Sequence, residues 1–190
     1  MRRCVRWLQA VGMILILASL LLLAGAKIQE ANARKESKAV AERMTQLLAL
    51  RGCAVWTDAP MPVMEVDGRD YVCLLEVPGL AVTLPVCDDW EVRHQVGNPC
   101  RYWGSCYNGS LIIGGGRMAQ MEFCGRLDLG DRILVTDLQG REFPYRVTSI
   151  LRADELTFQR LKEGEEPLTL FARDGSSRRH IIVKCGISES

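Results

Sequence analysis

The chain has 190 residues and a formal net charge of +1, and 48% of its residues are hydrophobic. The near-neutral charge favours neither nucleic acid nor another strongly charged partner, and no aromatic residues alternate with the scattered basic ones as they do on nucleic-acid-binding surfaces. The length is enough for one domain with a hydrophobic core and short for two.

The N-terminus predicts a membrane anchor. Arg2, Arg3 and Arg6 precede a nearly unbroken apolar run over residues 7–26, and about 20 apolar residues are needed for a helix to span a bilayer. The arginines favour a cytoplasmic location for residues 1–6, which places everything after the anchor outside the cytoplasm. We therefore expect a single-pass protein of the cell membrane with an extracytoplasmic C-terminal domain. A cleaved signal peptide is the alternative, because residues 24–26 are small.

A helix is predicted to follow the anchor, over residues 27–52. Glu, Ala, Lys and Arg dominate this segment, and apolar side chains recur at helical spacing at Val40, Met44 and Leu47. Gly52 is a typical stop signal. The Pro-rich stretch DAPMPVM then indicates a linker over residues 53–70.

The remaining segment, residues 71–187, is predicted to be mainly β. Short β-rich runs, from YVCLLEV at Tyr71 to HIIVK at His180, are separated by turn signals such as Asn108-Gly109. This punctuation favours an antiparallel barrel or sandwich. Only residues 154–161 indicate a further short helix.

The eight cysteines form no recognisable framework. Cys4 is expected in the cytoplasm, which leaves an odd number outside. Because no C-x-x-C pair occurs, a zinc site is not expected, and nothing in the sequence indicates another metal or a cofactor. Most of the cysteines fit small buried apolar positions, and a disulfide between Cys100 and Cys106 is left open.

Four segments resemble, in order, parts of the sortases, the cysteine transpeptidases of Gram-positive cell surfaces. They are YVCLLEVPGLAVTLPVCDDW, PCRYWGSCYNGSLIIGGG, FCGRLDLGDRILVTDLQGREFPYRVTSI and LTLFARDGSSRRHIIVKC. The second is most similar to clostridial members, which carry a Pro-Cys-Arg-Tyr-x-Gly-Ser run. The resemblance covers residues 71–185 and implies a closed sortase-like β-barrel.

The resemblance fails where the family's chemistry takes place. Where a sortase has Leu-Thr-Leu-x-Thr-Cys, this chain has Ala172 for Thr and Arg173 for the nucleophilic Cys. Gly116 stands at the family's His position, and Arg179 matches its Arg position. In the family the Cys forms a thioacyl intermediate, the His protonates the leaving amine, and the Arg holds the substrate and the oxyanion. The loss of two of these groups implies a catalytically inactive homologue.

Arg173 and Arg179 are the predicted binding residues of this degenerate site. Two cations about 5 Å apart repel by roughly 3 kcal/mol at an effective dielectric near 20. Arg173 either reaches solvent or a carboxylate of Asp154, Glu155 or Asp174, or both guanidinium groups grip a bound anion. Gly116 and its two neighbouring glycines form a mobile turn or widen the cleft.

The predicted function is therefore binding or scaffolding at the membrane, with a surface-protein peptide or an active sortase as partner. The alternative is a divergent active sortase with a relocated nucleophile and acid, Cys124 and His94; a product of decay with no selected activity is also left open. If Arg179 faces the cleft, His180 faces away, because neighbouring strand residues point to opposite faces. Cys185 ends the last strand and is interpreted as structural.

Overall fold

The computed structural model describes residues 31–46, 60–91, 97–115, 120–162, 166–175 and 179–188, with the single residues Met13, Gly25 and Lys27. Within these ranges no helix combines the length and the apolar composition needed to cross a bilayer. The predicted anchor over residues 7–26 lies outside the described residues except for Met13 and Gly25.

A helix, α1, occupies residues 31–46, inside the predicted helical segment. Val40, Ala41 and Met44 are buried, at the i, i+1 and i+4 spacing of one helical face. This face packs in a hydrophobic cluster with Tyr71 and Leu74 of the second strand. The helix following the predicted anchor therefore lies against the β domain.

In the part of the chain that the structure describes, nine strands form one sheet. In chain order they are β1 (Met64–Val66), β2 (Arg69–Val77), β3 (Val82–Cys87), β4 (Cys100–Trp103), β5 (Leu111–Gly114), β6 (Arg132–Asp137), β7 (Glu142–Ala153), β8 (Leu168–Arg173) and β9 (His180–Ile187). Short helices in the described connections include 3-10 turns at Pro78–Leu80 and Glu122–Arg126, and α2 at Phe158–Lys162. The predicted β class and the short helix near residues 154–161 are confirmed.

The sheet closes into an eight-stranded barrel because β2 pairs with both β3 and β6. The spatial order is β2-β3-β4-β5-β8-β9-β7-β6, and β1 extends β2 outside this ring. Two neighbouring pairs, β3–β4 and β5–β8, are parallel. The expected purely antiparallel arrangement is therefore wrong for these pairs, because turn signals indicate where strands end and not which strand lies beside them.

The stretch predicted as a linker, residues 53–70, contains the first strand and the start of the second. β1 and β2 form a hairpin through Asp67 and Gly68, whose φ angles are 52° and 75°. Positive φ at both central residues is typical of a type I′ hairpin turn, and Asp-Gly is one of its preferred sequences. The domain thus begins before Tyr71.

Alternate strand residues fill the barrel interior. On β8 these are Leu168, Leu170 and Ala172, and on β9 the interior residues include Ile181 and Val183. The intervening residues face outward. On this outer surface Phe171 packs in a separate cluster beneath α2.

Candidate functional site

Arg173 is the last residue of β8 and lies on the outer surface of the barrel. Its register partner across the antiparallel β8–β9 pair is His180. Directly paired residues project from the same face of a sheet, so the two side chains are neighbours. Strand alternation predicts that His180 faces away from the cleft if Arg179 faces it, but Arg179 precedes β9, so alternation does not fix the direction of its side chain. His180 is the site residue that sequence reasoning missed.

Arg179 contacts a carboxylate. Its Nε lies 3.1 Å from Oδ1 of Asp154, and both side chains are exposed. On the neighbouring strand end, Nε of Arg152 lies 3.4 Å from Oδ2 of Asp174. Two of the three carboxylates considered as partners for Arg173 thus contact other arginines. The prediction that Arg173 and Arg179 bind an anion together stays a prediction.

The electrostatics of His180 follow from its position. Partial burial lowers the pKa of its imidazole, and the positive charge of Arg173 lowers it further. Both effects disfavour the imidazolium form. The side chain is therefore expected to be neutral near pH 7, beside a permanent cation.

An aromatic cluster covers the outer surface next to Arg173. Its members are Trp90, Tyr102, Trp103, Phe158 and Phe171. The ring of Phe171 lies with its centroid 5.5 Å from that of Trp90 and 5.5 Å from that of Tyr102. The surface between β5 and β8 is therefore filled by side chains at Phe171. Gly116, at the predicted cleft edge, lies outside the described residues.

A cavity of about 350 Å³ opens further along β5 and β8, at the strand ends opposite Arg173. Its walls combine an indole, aliphatic groups, hydroxyls, an amide and a carboxylate, from Trp103, Asn108, Gly109, Ser110, Ile112, Leu161, Lys162, Glu166 and Thr169. A second opening, of about 530 Å³, is lined by Asp88, Asp89, Trp90, Arg101, Tyr102, Trp103 and Gly104. Trp103 lines both, so the two openings adjoin one another on the outer surface.

A buried lysine supports the floor of the first cavity. Lys184 is 2% exposed, and its Nζ donates a hydrogen bond to the carbonyl oxygen of Leu161, at 2.5 Å. The same carbonyl accepts a hydrogen bond from Oγ1 of Thr169. Nζ also lies 3.6 Å from Oε2 of Glu166, close enough for an ion pair but too far for a hydrogen bond. Lys184 thus links α2 and the Glu166 carboxylate to β9.

Cys124, the proposed alternative nucleophile, lies in the 3-10 turn Glu122–Arg126 and is 1% exposed in the barrel core. Burial raises the pKa of its thiol well above the ordinary value, and the neighbouring Cys185 adds to this. An activated thiol requires the opposite shift. His94, its proposed acid, lies outside the described residues. Burial likewise raises the pKa of Cys185 to about 12.

Cys100 and Cys106, whose pairing was left open, are not joined by a disulfide and lie in different hydrophobic clusters. Within the described ranges, no three His, Cys, Asp or Glu side chains lie close enough together to hold a metal ion.

Comparison with solved structures finds sortases. Sortase C-1 from Actinomyces oris matches with a TM-score of 0.52 at 16% identity, over 78% of this chain and 99% of that one. Sortase C from Clostridium perfringens, solved with the C-terminal cell wall sorting motif, gives 0.52 at 15% identity, over 80% and 87%. Sortase A from Corynebacterium diphtheriae gives 0.50 at 15% identity, over 64% of this chain and 62% of its own.

No protein family model and no curated protein matches the sequence. At these identities, likeness to solved structures establishes the fold and leaves the chemistry to be argued from the residues. The closed eight-stranded barrel, the order of its strands and these matches agree with the resemblance in the sequence, and the domain therefore has the sortase fold.

Proposed function

We propose that this protein is a membrane-anchored, extracytoplasmic sortase-like protein that binds an extended peptide of a surface protein and does not catalyse transpeptidation. The observation that carries the proposal is Arg173, which ends β8 on the outer surface. In the Leu-Thr-Leu frame this is the position at which the resemblance implies the nucleophilic cysteine.

Arginine cannot replace a thiolate at this position. Its guanidinium group stays protonated and offers no lone pair to a peptide carbonyl. In a comparable triad, removal of the nucleophile alone lowers the rate by roughly a millionfold. The six cysteines that the structure describes are all buried, so none of them presents its sulfur to a peptide on the surface.

The outer surface between β5 and β8 has the composition of a peptide-binding groove. Trp103, Ile112 and Leu161 offer apolar contact, while Ser110 and Glu166 offer polar groups for a peptide backbone. Within the described residues, Oε2 of Glu166 is buried without a hydrogen-bond partner, and a backbone N–H of a ligand would satisfy it. The Clostridium perfringens sortase C solved with a sorting motif supports a peptide as the ligand class.

The test uses the full-length chain in detergent and fluorescent peptides that carry Leu-Pro-x-Thr-Gly or Asn-Pro sorting signals. Fluorescence anisotropy is expected to show saturable binding to at least one peptide, weakened about tenfold by Trp103→Ala, which removes a large apolar contact. Leu129→Ala is the matched control, since Leu129 is 69% exposed outside the cavity lining. The absence of binding to every peptide would overturn the proposed ligand class.

The same samples test the absence of catalysis. Mass spectrometry is expected to detect intact peptide and no thioacyl adduct on any cysteine. An adduct accompanied by turnover would instead support the alternative, a divergent active sortase with Cys124 and His94 as its catalytic pair. A co-purification assay with an active sortase, in which binding persists without peptide, would identify that enzyme as the partner.

A further inference from the structure

Two cysteines meet where β3 and β4 join the barrel. The parallel β3–β4 pair has Cys87 and Cys100 as its register partners, and the backbone N–H of Cys87 donates to the carbonyl of Pro99 at 2.9 Å. Neighbouring strands lie about 4.8 Å apart, and disulfides form across Cα separations of roughly 4.4–6.8 Å. The backbone spacing therefore suits a covalent bond between these side chains.

The side chains also share one face. Cys87 and Cys100 are 1% and 0% exposed, and both lie in the hydrophobic cluster beneath α1. The Cys100 thiol donates a long hydrogen bond to the carbonyl oxygen of Asn98, at 3.9 Å, and it is near enough to Cys87 to lower the pKa of that thiol. Tyr71, the register partner of Cys87 on β2, accepts a hydrogen bond from the Asn98 amide at its hydroxyl, at 3.2 Å. Cys87 is thus held between a second thiol and a tyrosine.

We propose that Cys87 and Cys100 are a disulfide-forming pair that covalently fastens β3 to β4 under oxidising conditions. The inference does not rest on the proposed function, because its evidence is the pairing of two cysteines in the cluster beneath α1. The oxidant is a small or protein disulfide such as oxidised glutathione.

The directions of the pKa shifts indicate which thiol attacks first. The neighbouring Cys100 thiol lowers the pKa of Cys87 more than any other group does, and the charge of Arg69 also lowers it, so that the net shift is downward despite burial. Burial instead raises the pKa of Cys73, and that of Cys106 to about 12. Because the thiolate is the reactive form, Cys87 is the favoured nucleophile.

The reaction is a balanced exchange in two steps. The Cys87 thiolate attacks one sulfur of the donor disulfide, forms a mixed disulfide and expels one donor thiolate. Cys100 then loses its proton, its sulfur attacks Sγ of Cys87, and the second donor thiolate leaves. The protein loses two electrons and two protons, and the donor disulfide becomes two thiols.

The bond would close the chain segment between residues 87 and 100, which carries Trp90. Trp90 packs on Tyr102 and Phe171 in the aromatic cluster. Covalent closure removes conformations from the unfolded chain, so it stabilises the barrel and fixes the segment that holds this ring.

The experiment exposes the full-length chain in detergent to a redox buffer of reduced and oxidised glutathione, before and after refolding from denaturant. Free thiols are then blocked with N-ethylmaleimide. Combined digestion with trypsin and a Glu-specific protease separates Cys73 from Cys87, since Glu76 lies between them. Mass spectrometry is expected to detect residues 77–91 linked to residues 94–101 through Cys87 and Cys100.

Cys87→Ala and Cys100→Ala are each expected to abolish this cross-link, and the matched control Cys73→Ala retains it. The unfolding midpoint of the cross-linked protein is expected to exceed that of the reduced protein by about 5–10 °C. Because refolding gives the oxidant access to every thiol, alkylation of both cysteines after refolding would overturn the proposal. A cross-link between other cysteines with these two alkylated would do the same.

Discussion

The ring of Phe171 lies directly over the α-carbon of Gly114, its register partner on the neighbouring parallel strand. A β-carbon built on Gly114 would lie 2.1 Å from Cζ of the ring. Trp90 and Tyr102 contact the ring from outside, so it has little space into which to move. Because Gly114 has no side chain, the Phe171 ring can occupy this position.

Gly114→Ala is expected to lower the free energy of unfolding by about 1–3 kcal/mol, since it overpacks this contact. Chemical denaturation measures the change. Gly79→Ala is the matched control, because a β-carbon at Gly79 meets nothing within 4 Å. When Phe171→Ala is already present, Gly114→Ala should lower the free energy of unfolding much less. An equal loss with and without the Phe171 ring would show that the ring does not cause it.

Lys184→Met is expected to destabilise the domain by about 2–4 kcal/mol, because it removes one partner of a mostly buried ion pair. The Leu161 carbonyl also loses a hydrogen bond from Nζ. Lys162→Met is the matched control: Lys162 is exposed, with its Nζ 3.6 Å from the Trp103 ring centroid, and its loss should cost less than about 1 kcal/mol. Equal effects in urea denaturation would contradict the structural role of Lys184.

Asp137→Asn is expected to cost about 3–5 kcal/mol, since it leaves a buried guanidinium group without its counter-charge. The Asp137 carboxylate is fully buried and accepts hydrogen bonds from Nε of Arg141 at 2.8 Å and from the Tyr107 hydroxyl at 2.7 Å. Exposed Asp128→Asn serves as control in the same thermal and chemical denaturation series. A loss no larger than that of Asp128→Asn would show that the buried pair contributes little.

The pKa of His180 is expected to lie below the ordinary histidine value of 6.5. Arg173→Ala should raise it part of the way back, since burial is the larger cause and remains. NMR titration of the two histidines measures this, with His180→Asn to assign the signal and Arg146→Ala as a distant control. A His180 pKa that does not respond to Arg173→Ala would contradict their pairing on one face.

The lowered pKa of His180 makes the stability of the domain depend on pH. Because the folded pKa of His180 is lowered, the unfolded chain binds protons more readily than the folded chain between the two pKa values. The contribution of His180 is therefore fully present above about pH 6.5 and is lost as the pH falls through the folded pKa. The free energy of unfolding of the native chain and of His180→Asn can be measured over pH 5–8. As the pH falls, it should decline less in the variant.

Much of the barrel could be predicted because its strands are marked locally. The β-rich runs between turn signals became β2, β3, β5, β6, β7, β8 and β9. The strand β1 was missed because the prolines before it indicated a linker, although Asp67-Gly68 is a hairpin signal. The parallel pairs were missed because a strand's neighbour depends on contacts distant in sequence, such as Gly114 with Phe171.

A site residue could be placed from the sequence only where its position depends on a single strand. The position of Arg173 at the end of a strand followed from the Leu-Thr-Leu frame. The burial of Cys124 did not follow, because nearness in sequence to residue 116 says nothing about which side of the barrel wall a turn faces. The pairing of His180 with Arg173 did not follow from the sequence, because alternation within one strand does not tell which residues lie opposite each other on neighbouring strands.

Successive residues of β8 alternate between the barrel interior and the outer surface. Leu168, Leu170 and Ala172 hold the interior together, whereas Thr169, Phe171 and Arg173 face outward. A substitution at an outward position changes the chemistry of the surface without altering the volume enclosed by the barrel. At an outward position that is exposed, such as Arg173, a barrel of this kind can therefore exchange one surface group for another while its interior packing is kept.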